Sequence, residues 1–356
     1  MKITLLTAAA ALAAGPALAQ SQVTLSGILD LGVRSVSNEG VGSLKSTVSG
    51  SNSTSRLIFS GSEDLGSGLK AGFHLEHGLL ADTGTAAAAA KFWDRRSTVS
   101  LSGADWGELR LGRDFVPSYV SWSRYDPFAY VGVARSANLV SASPAGPIRS
   151  AFGSNANTTV RADNAVQFLL PAGWGGLEGG LMVAAGEGGL VTAGQAKVLG
   201  LRIGYTAPAF SLSAATTRSE NTLTVNGRFS DDVIGGSTQF AGLKLSGAWR
   251  RFSVDDARQT LLMLGASHAW GAHELKASWL QSNQAGRVGA TRLDANDARQ
   301  LGLGYVHHLS KRTALYATLA QVSNDGAARY VISDGPAGMA GGGTSRGYEA
   351  GLRHRF

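Results

Sequence analysis

The chain contains no cysteine, which excludes a disulfide-stapled scaffold and any thiolate metal centre. Proline is scarce, at 8 of 356 residues. There is no basic helix and no block of Lys or Arg: the residues behind the net charge of +7 are spread singly, so no nucleic-acid partner is expected. Beyond the N-terminus, no apolar run reaches the roughly 18 residues that a membrane-spanning helix needs. A chain that crosses a bilayer without such helices must do so as a closed barrel, because backbone N–H and C=O groups find no water there. The mean hydropathy of +0.01 suits a soluble protein, but equally a barrel whose apolar positions are diluted by polar ones.

What is abundant is glycine, at 48 residues, and a side-chain period of two. Val23, Leu25, Leu29, Leu31 and Val33 share one face of an extended segment, opposite Thr24, Ser26, Asp30 and Arg34, with Ile28 out of phase. Leu57 and Phe59 alternate with Arg56 and Ser60, and Leu69, Ala71, Phe73 and Leu75 with Lys70, Gly72, His74 and Glu76. The pattern returns at Leu199–Tyr205 and Leu301–Tyr305, and weakens around Asp232–Gly236. At the end, Tyr348, Ala350, Leu352, His354 and Phe356 oppose Glu349, Gly351, Arg353 and Arg355.

Residues 1–19 read as a signal peptide: Lys2, an apolar core from Ile3 to Ala14, and the small-x-small site Ala17-Leu18-Ala19. Residues 20–356 then form a single unit. Short turns fall near 63–68, 103–107, 171–176, 206–209, 238–242, 270–273 and 308–313. Longer polar connections fall near 35–54, 77–91, 114–160, 186–197, 217–231, 251–258, 281–298 and 323–345. Seven turns alternating with eight loops predict an all-β, 16-stranded antiparallel transmembrane β-barrel, with both ends on the short-turn side. Trp106, Trp174, Phe240 and Trp270, in or beside those turns, suit the membrane–water boundary.

The connection 114–160 stands apart, at 47 residues. A loop of that length is usually functional or disordered, and Trp122, Tyr125, Phe128 and Tyr130 argue for order. Pro117, Asp126-Pro127, Pro144 and Pro147 favour a fixed path, and folded inward the loop would narrow a pore. Between Arg113 and Asp163, five arginines outnumber three aspartates. A guanidinium stays charged and offers a planar fork to carboxylate, sulfate or phosphate, so such a bore would favour anions. The histidines show no metal-ligand spacing, and no G-x-S-x-G elbow is present, so neither an enzyme nor a cofactor is expected.

The stretches VTLSGILD (23–30), SRLIFSGSEDLGSGLKAGFHLE (55–76), RRSTVSLSGADWGELRLGRD (95–114), VRADNAVQF (160–168), LGYVHHLSKRTALY (303–316) and GLRHRF (351–356) resemble the trimeric general-diffusion porins of the bacterial outer membrane. The likeness is greatest to the anion-selective type of the β-proteobacteria. It implies a homotrimer in outer-membrane lipid and lipopolysaccharide, delivered by periplasmic chaperones and the barrel-assembly machinery, with Phe356 and Tyr348 as the assembly signal. It also implies an inward-folded third loop forming an eyelet that passes small anions. By motif, the wall arginines of the eyelet are Arg56, one of the Arg95/Arg96 pair, and Arg161; alternation turns Arg56 and Arg161 inward and leaves the pair open. Glu76, Asp114 and Asp126 are the acidic residues expected near it, and Arg113, Arg124, Arg135 and Arg149 would extend the basic track. The alternatives are a substrate-specific organic-anion channel and a closed barrel serving as a surface structure.

Overall fold

The computed structural model describes residues 22–140, 145–154, 159–186, 196–224 and 227–356. The expected leader and Pro144 lie outside them. Sixteen strands form the wall: β1 Gln22–Asn38, β2 in two segments (Gly42–Ser49 and Arg56–Gly66), β3 Leu69–Leu80, β4 Arg96–Gly103, β5 Gly107–Phe115, β6 Arg161–Leu169, β7 Leu177–Ala184, β8 Lys197–Thr206, β9 Phe210–Glu220, β10 Phe229–Phe240, β11 Leu243–Val254, β12 Ala257–Trp270, β13 His273–Ala285, β14 Ala298–His308, β15 Thr313–Asn324 and β16 Thr344–Arg355. Each pairs antiparallel with the next, and β16 returns to β1, from Ile28 opposite Arg355 to Asn38 opposite Ser345. The expected 16-stranded barrel is therefore closed, with no free edge.

The last residue completes the seam. Phe356 and Gly27 exchange backbone hydrogen bonds of 3.0 and 3.1 Å. The Phe356 ring lies against Gly27 so closely that a Cβ there would sit 2.4 Å from its Cζ. A larger residue at position 27 would push the aromatic off the junction.

Outside, the large apolar residues point away from the protein. Val23, Leu201, Ile203, Ile234 and Leu264 are each more than half exposed, and similar residues encircle the wall. So large an apolar band needs an apolar surrounding. Trp106, Trp174, Phe240 and Trp270 edge it at the short turns, where Phe240 is 84% exposed. Among the described residues no helix is long and apolar enough to cross a membrane; the crossing is made by strands.

The core lies inside the bore, against one wall. The loop between β5 and β6 carries α1, Pro117–Tyr125, a 3₁₀ turn at Ser136–Leu139, and α2, Pro147–Phe152. Both helices open on a proline, whose fixed φ suits a first helical position. In α1, Ser118, Ser121, Trp122 and Tyr125 share a buried stripe at helical spacing and pack on β7–β11. Phe128, Val133, Leu139, Ile148 and Phe152 bury themselves with Phe229, Val233, Phe252, Leu261 and Met263 of the wall. Glycines in the wall let the loop approach. Built Cβ atoms at Gly200, Gly235, Gly265 and Gly304 would meet Pro117, Tyr125, Pro127 and Phe128 at 2.7, 2.4, 2.5 and 2.7 Å.

Polar bonds complete the attachment. Ser118 Oγ donates to Asp231 Oδ2 at 2.6 Å, and Gln259 Nε2 to the Leu139 carbonyl at 2.6 Å. Gln300 Nε2 donates to the Ala134 carbonyl at 2.9 Å, and the Val133 N–H to Glu349 Oε1 at 3.0 Å. Arg250 is sealed beneath the loop, joined to Asp231 at 2.8 and 2.7 Å and lying over the Phe252 ring.

This packing explains the weak alternation expected around 232–236. The segment is an ordinary strand, part of β10, but the loop covers its inner face, so Val233 and Gly235 replace inward polar residues. Two expected long loops are corrected. The connection near 35–54 is mostly strand, with only residues 39–41 between β1 and β2 and a six-residue outpouching at 50–55. That near 251–258 shrinks to Asp255-Asp256, with Asp255 left-handed at φ 48°. Strand pairing continues beyond the apolar band, where the outward residues Ser35, Ser37, Arg251 and Ser253 are polar while Val36, Phe252 and Val254 are buried inside, so the apolar-outward signal is lost.

Replacing Asp231 by Asn would leave the Arg250 charge buried without its counter-ion. Loss of one partner of a buried pair costs about 3–5 kcal/mol. The D231N protein in detergent should therefore unfold at a clearly lower temperature, while an unchanged melting curve would show that this pair does not anchor the loop.

Candidate pore constriction

The bulge in β2 sets the first arginine. Asp30 accepts the Asn52 and Ser53 N–H groups at 2.7 and 2.6 Å, and its carbonyl accepts Ser55 Oγ at 3.1 Å. The chain re-enters the ladder at Arg56, between Ile28 and Gly78. Arg56 Nε lies 3.2 Å from Glu76 Oε1, an ion pair without hydrogen-bond alignment, and its Nη1 donates to the Thr54 carbonyl at 3.2 Å.

Glu76 gathers the neighbouring charges. Arg95 Nε donates to its Oε1 at 2.6 Å, and His74 Nε2 lies 3.5 Å from its Oε2. Arg161 opens β6 opposite Phe115, with its guanidinium 4.4 Å from that ring's centroid. Among the described residues no carboxylate lies within ion-pair distance of Arg161, and its Nε has no hydrogen-bond partner. Its electrostatic neighbours include Arg95 and Arg113, both of like charge. Glu76 thus pairs with Arg56 and Arg95 and stands as a more distant electrostatic neighbour of Arg161, a local balance of +2 from three cations and one anion.

The loop presents aromatic rings to this group. Phe115 stacks on Tyr119 at 4.8 Å, and Tyr119 meets Tyr130 edge-on at 5.1 Å. Tyr119 is an electrostatic neighbour of both Arg161 and Arg95. Ala129 and Tyr130 are left-handed, at φ 49° and 69°, and Asp126 holds that turn. Its carboxylate accepts the Phe128 and Tyr130 N–H groups at 2.9 and 3.1 Å and Ser136 Oγ at 2.5 Å. Burial pushes the Asp126 carboxyl above its ordinary value, while these donors pull it back. Burial likewise pushes the Tyr130 hydroxyl up to about 12, so it remains neutral.

A second set lies beside the first. Arg96 Nε donates to Thr98 Oγ1 at 3.1 Å and stands 3.5 Å from Asp114 Oδ2. Arg110 bonds the same Asp114 oxygen at 2.7 Å and Glu108 at 2.8 Å. These two cations and two anions balance. Arg96, Arg110 and Asp114 line a 280 Å³ recess together with His74, Glu76 and Arg202.

Of the residues singled out in the sequence, Arg56, Arg95, Arg161 and Glu76 come together, with Arg96 and Asp114 adjoining. The choice between Arg95 and Arg96 dissolves, because both turn inward. Arg96 sits on the inner face of β4, while Arg95 precedes its first residue and bends to Glu76 free of the alternation. Three expectations are corrected. Asp126 is not an eyelet acid facing arginines; the loop backbone consumes its oxygens. Arg124 turns to Glu178 and to Thr206 Oγ1 at the far end of α1. Arg135 donates to Asn138 Oδ1 at 3.1 Å, and its charged neighbours are Arg34, Asp334 and Glu349.

Of the remaining arginines on that track, Arg113 pairs with Asp163, which also takes Lys91, and Arg149 is exposed on α2. Tyr348 and Phe356 lie on the outer face. Sequence reasoning missed Arg110, although its alternation with Leu109 and Leu111 already marked it as inward-facing.

Residues 6–327 match the family described as Gram-negative porin. The chain is 37% identical to outer membrane porin protein 32 of Delftia acidovorans, over the whole of both chains. It is 28% identical to an outer membrane porin protein of Bordetella pertussis, again over the whole of both. Among solved structures, the anion-selective porin from Comamonas acidovorans superposes with a TM-score of 0.80 at 33% identity, covering 95% of this chain and 100% of that one. A closed barrel with an apolar belt, a loop packed in its bore and this sequence likeness lead to one assignment: the chain belongs to the Gram-negative porin family and resides in the outer membrane.

Proposed function

We propose that the protein is a passive, water-filled diffusion channel that prefers small anions, and that Arg56, Arg95 and Arg161 form the selecting side of its constriction. The observation that carries this reading is the three-to-one ratio of guanidinium groups to carboxylate around Glu76. A narrow bore of low dielectric focuses such a field, and rings of arginine favour anions. Arg161 supports the reading most, since among the described residues no carboxylate pairs with it and the Phe115 ring backs its guanidinium. The similar porin from Comamonas acidovorans is named anion-selective. A homotrimer set in lipid and lipopolysaccharide, and recognition of Phe356 and Tyr348 during assembly, belong to the same proposal. The closing contact of Phe356 with Gly27 supports the role of the last residue in assembly.

A second reading, uptake of organic anions as preferred solutes, draws support from the ladder Phe115–Tyr119–Tyr130 beside Arg161. Flat rings next to a guanidinium suit a carboxylate on an apolar body.

One set of planar-bilayer recordings separates these possibilities. The unaltered protein should show an anion-preferring reversal potential in a KCl gradient, with conductance steps that arrive in threes if it is a trimer. R56E/R161E should shift the reversal potential toward cations, and the shift should shrink at high salt as screening sets in. No shift would remove these arginines from the constriction. Chloride current that a millimolar aromatic carboxylate blocks saturably would favour the second reading; a purely additive conductance would exclude it.

A further inference from the structure

A stack of rings at the short-turn rim plays no part in the pore. Trp270 lies parallel to His268 and to His273, with centroid separations of 5.4 and 5.5 Å. His273 continues the stack to Tyr305 at 6.0 Å and His307 at 4.8 Å. His273 on β13 and His307 on β14 are direct cross-strand partners. They share the outer face with Leu275, Tyr305 and Leu303, at the end of the barrel where Trp270 marks the boundary between apolar band and water. Both imidazoles are half-buried.

The two Nδ1 atoms face each other at 3.3 Å. The Tyr305 hydroxyl reaches the same His273 Nδ1 at 2.6 Å. A neutral imidazole nitrogen either donates one proton or accepts with one lone pair, so His273 Nδ1 cannot serve both neighbours fully. A cation bound by both Nδ1 lone pairs would replace the contact between the rings and displace the Tyr305 hydroxyl from His273.

We propose that His273 and His307 form a two-histidine site for a borderline divalent metal ion, of the Zn²⁺, Cu²⁺ or Ni²⁺ class, held through both Nδ1 atoms. Nitrogen ligands at about 2.0–2.1 Å on a tetrahedral ion stand about 3.3 Å from one another. The unliganded pair already has this spacing. Imidazole selects zinc, copper and nickel over calcium and magnesium. Strand pairing holds the rings in place, so little ordering accompanies binding.

Among the described residues no third histidine or carboxylate completes a cluster, so water fills the other positions and the affinity is micromolar rather than that of a structural zinc. His308, the next residue, turns to the opposite face, 4.0 Å from Glu274, and does not join. Trp270, stacked on His273, sits where a bound copper ion would quench it.

The test uses the untagged protein, folded in detergent and stripped of metal with a chelator. Zinc is titrated by calorimetry, and copper by tryptophan fluorescence. One micromolar site per chain is expected, with saturable copper quenching. H273Q and H307Q should each weaken zinc binding more than about tenfold. H308Q and Y305F should retain it, and W270F should lose most of the quenching while still binding zinc. Absence of saturable zinc binding to the unaltered protein overturns the proposal, whatever the variants do. Binding that survives in both H273Q and H307Q overturns it as well.

Discussion

Everything specific to this barrel follows from one asymmetry: the long loop buries its apolar face against a single side of the bore. Closed strand pairing is what any chain must achieve to satisfy its backbone in a bilayer. It leaves the interior free to be filled or empty. Here α1 and the segment after it settle on the wall from β7 to β14, where inward glycines admit Pro117, Tyr125, Pro127 and Phe128. The buried Arg250–Asp231 pair and the glutamine bonds to loop carbonyls fix the position. Van der Waals packing thus occupies one half of the lumen, and water and charge are left to the other.

The opposite half carries the arginines for a related reason. Arg56, Arg95, Arg96, Arg110 and Arg161 all lie on or beside β2–β6, away from the strands on which α1 and α2 pack. The carboxylates divide them unequally. Asp114 and Glu108 neutralise Arg96 and Arg110, whereas Glu76 pairs with Arg56 and Arg95 and, among the described residues, no carboxylate pairs with Arg161. A residual positive field therefore sits where the loop edge, through Tyr119 and Tyr130, comes nearest. The asymmetry of packing becomes an asymmetry of charge.

Much of this could be read from residue order alone. The alternation of Leu57 and Phe59 with Arg56 places that arginine inward whatever lies around it, because a strand has only two faces. The 47-residue gap between Asp114 and Val160, with its aromatics and prolines, announces an ordered loop. What could not be read is which wall the loop chooses, since that depends on glycines scattered over strands distant in sequence. The fate of Asp126 was hidden for the same reason: only the folded turn shows that Ser136 and the backbone exhaust its oxygens. Arg95 and Arg96 were ambiguous because one lies just outside the strand, where the period no longer applies.

The central claim is that Arg56, Arg95 and Arg161 together leave a net positive charge around Glu76 at the constriction. Anomalous diffraction from crystals of the protein soaked in bromide tests it most directly. The account predicts bromide on the bore side of these three residues. Bromide confined to the Arg96–Arg110 recess, or a bore that holds none while the ion binds elsewhere, would contradict it.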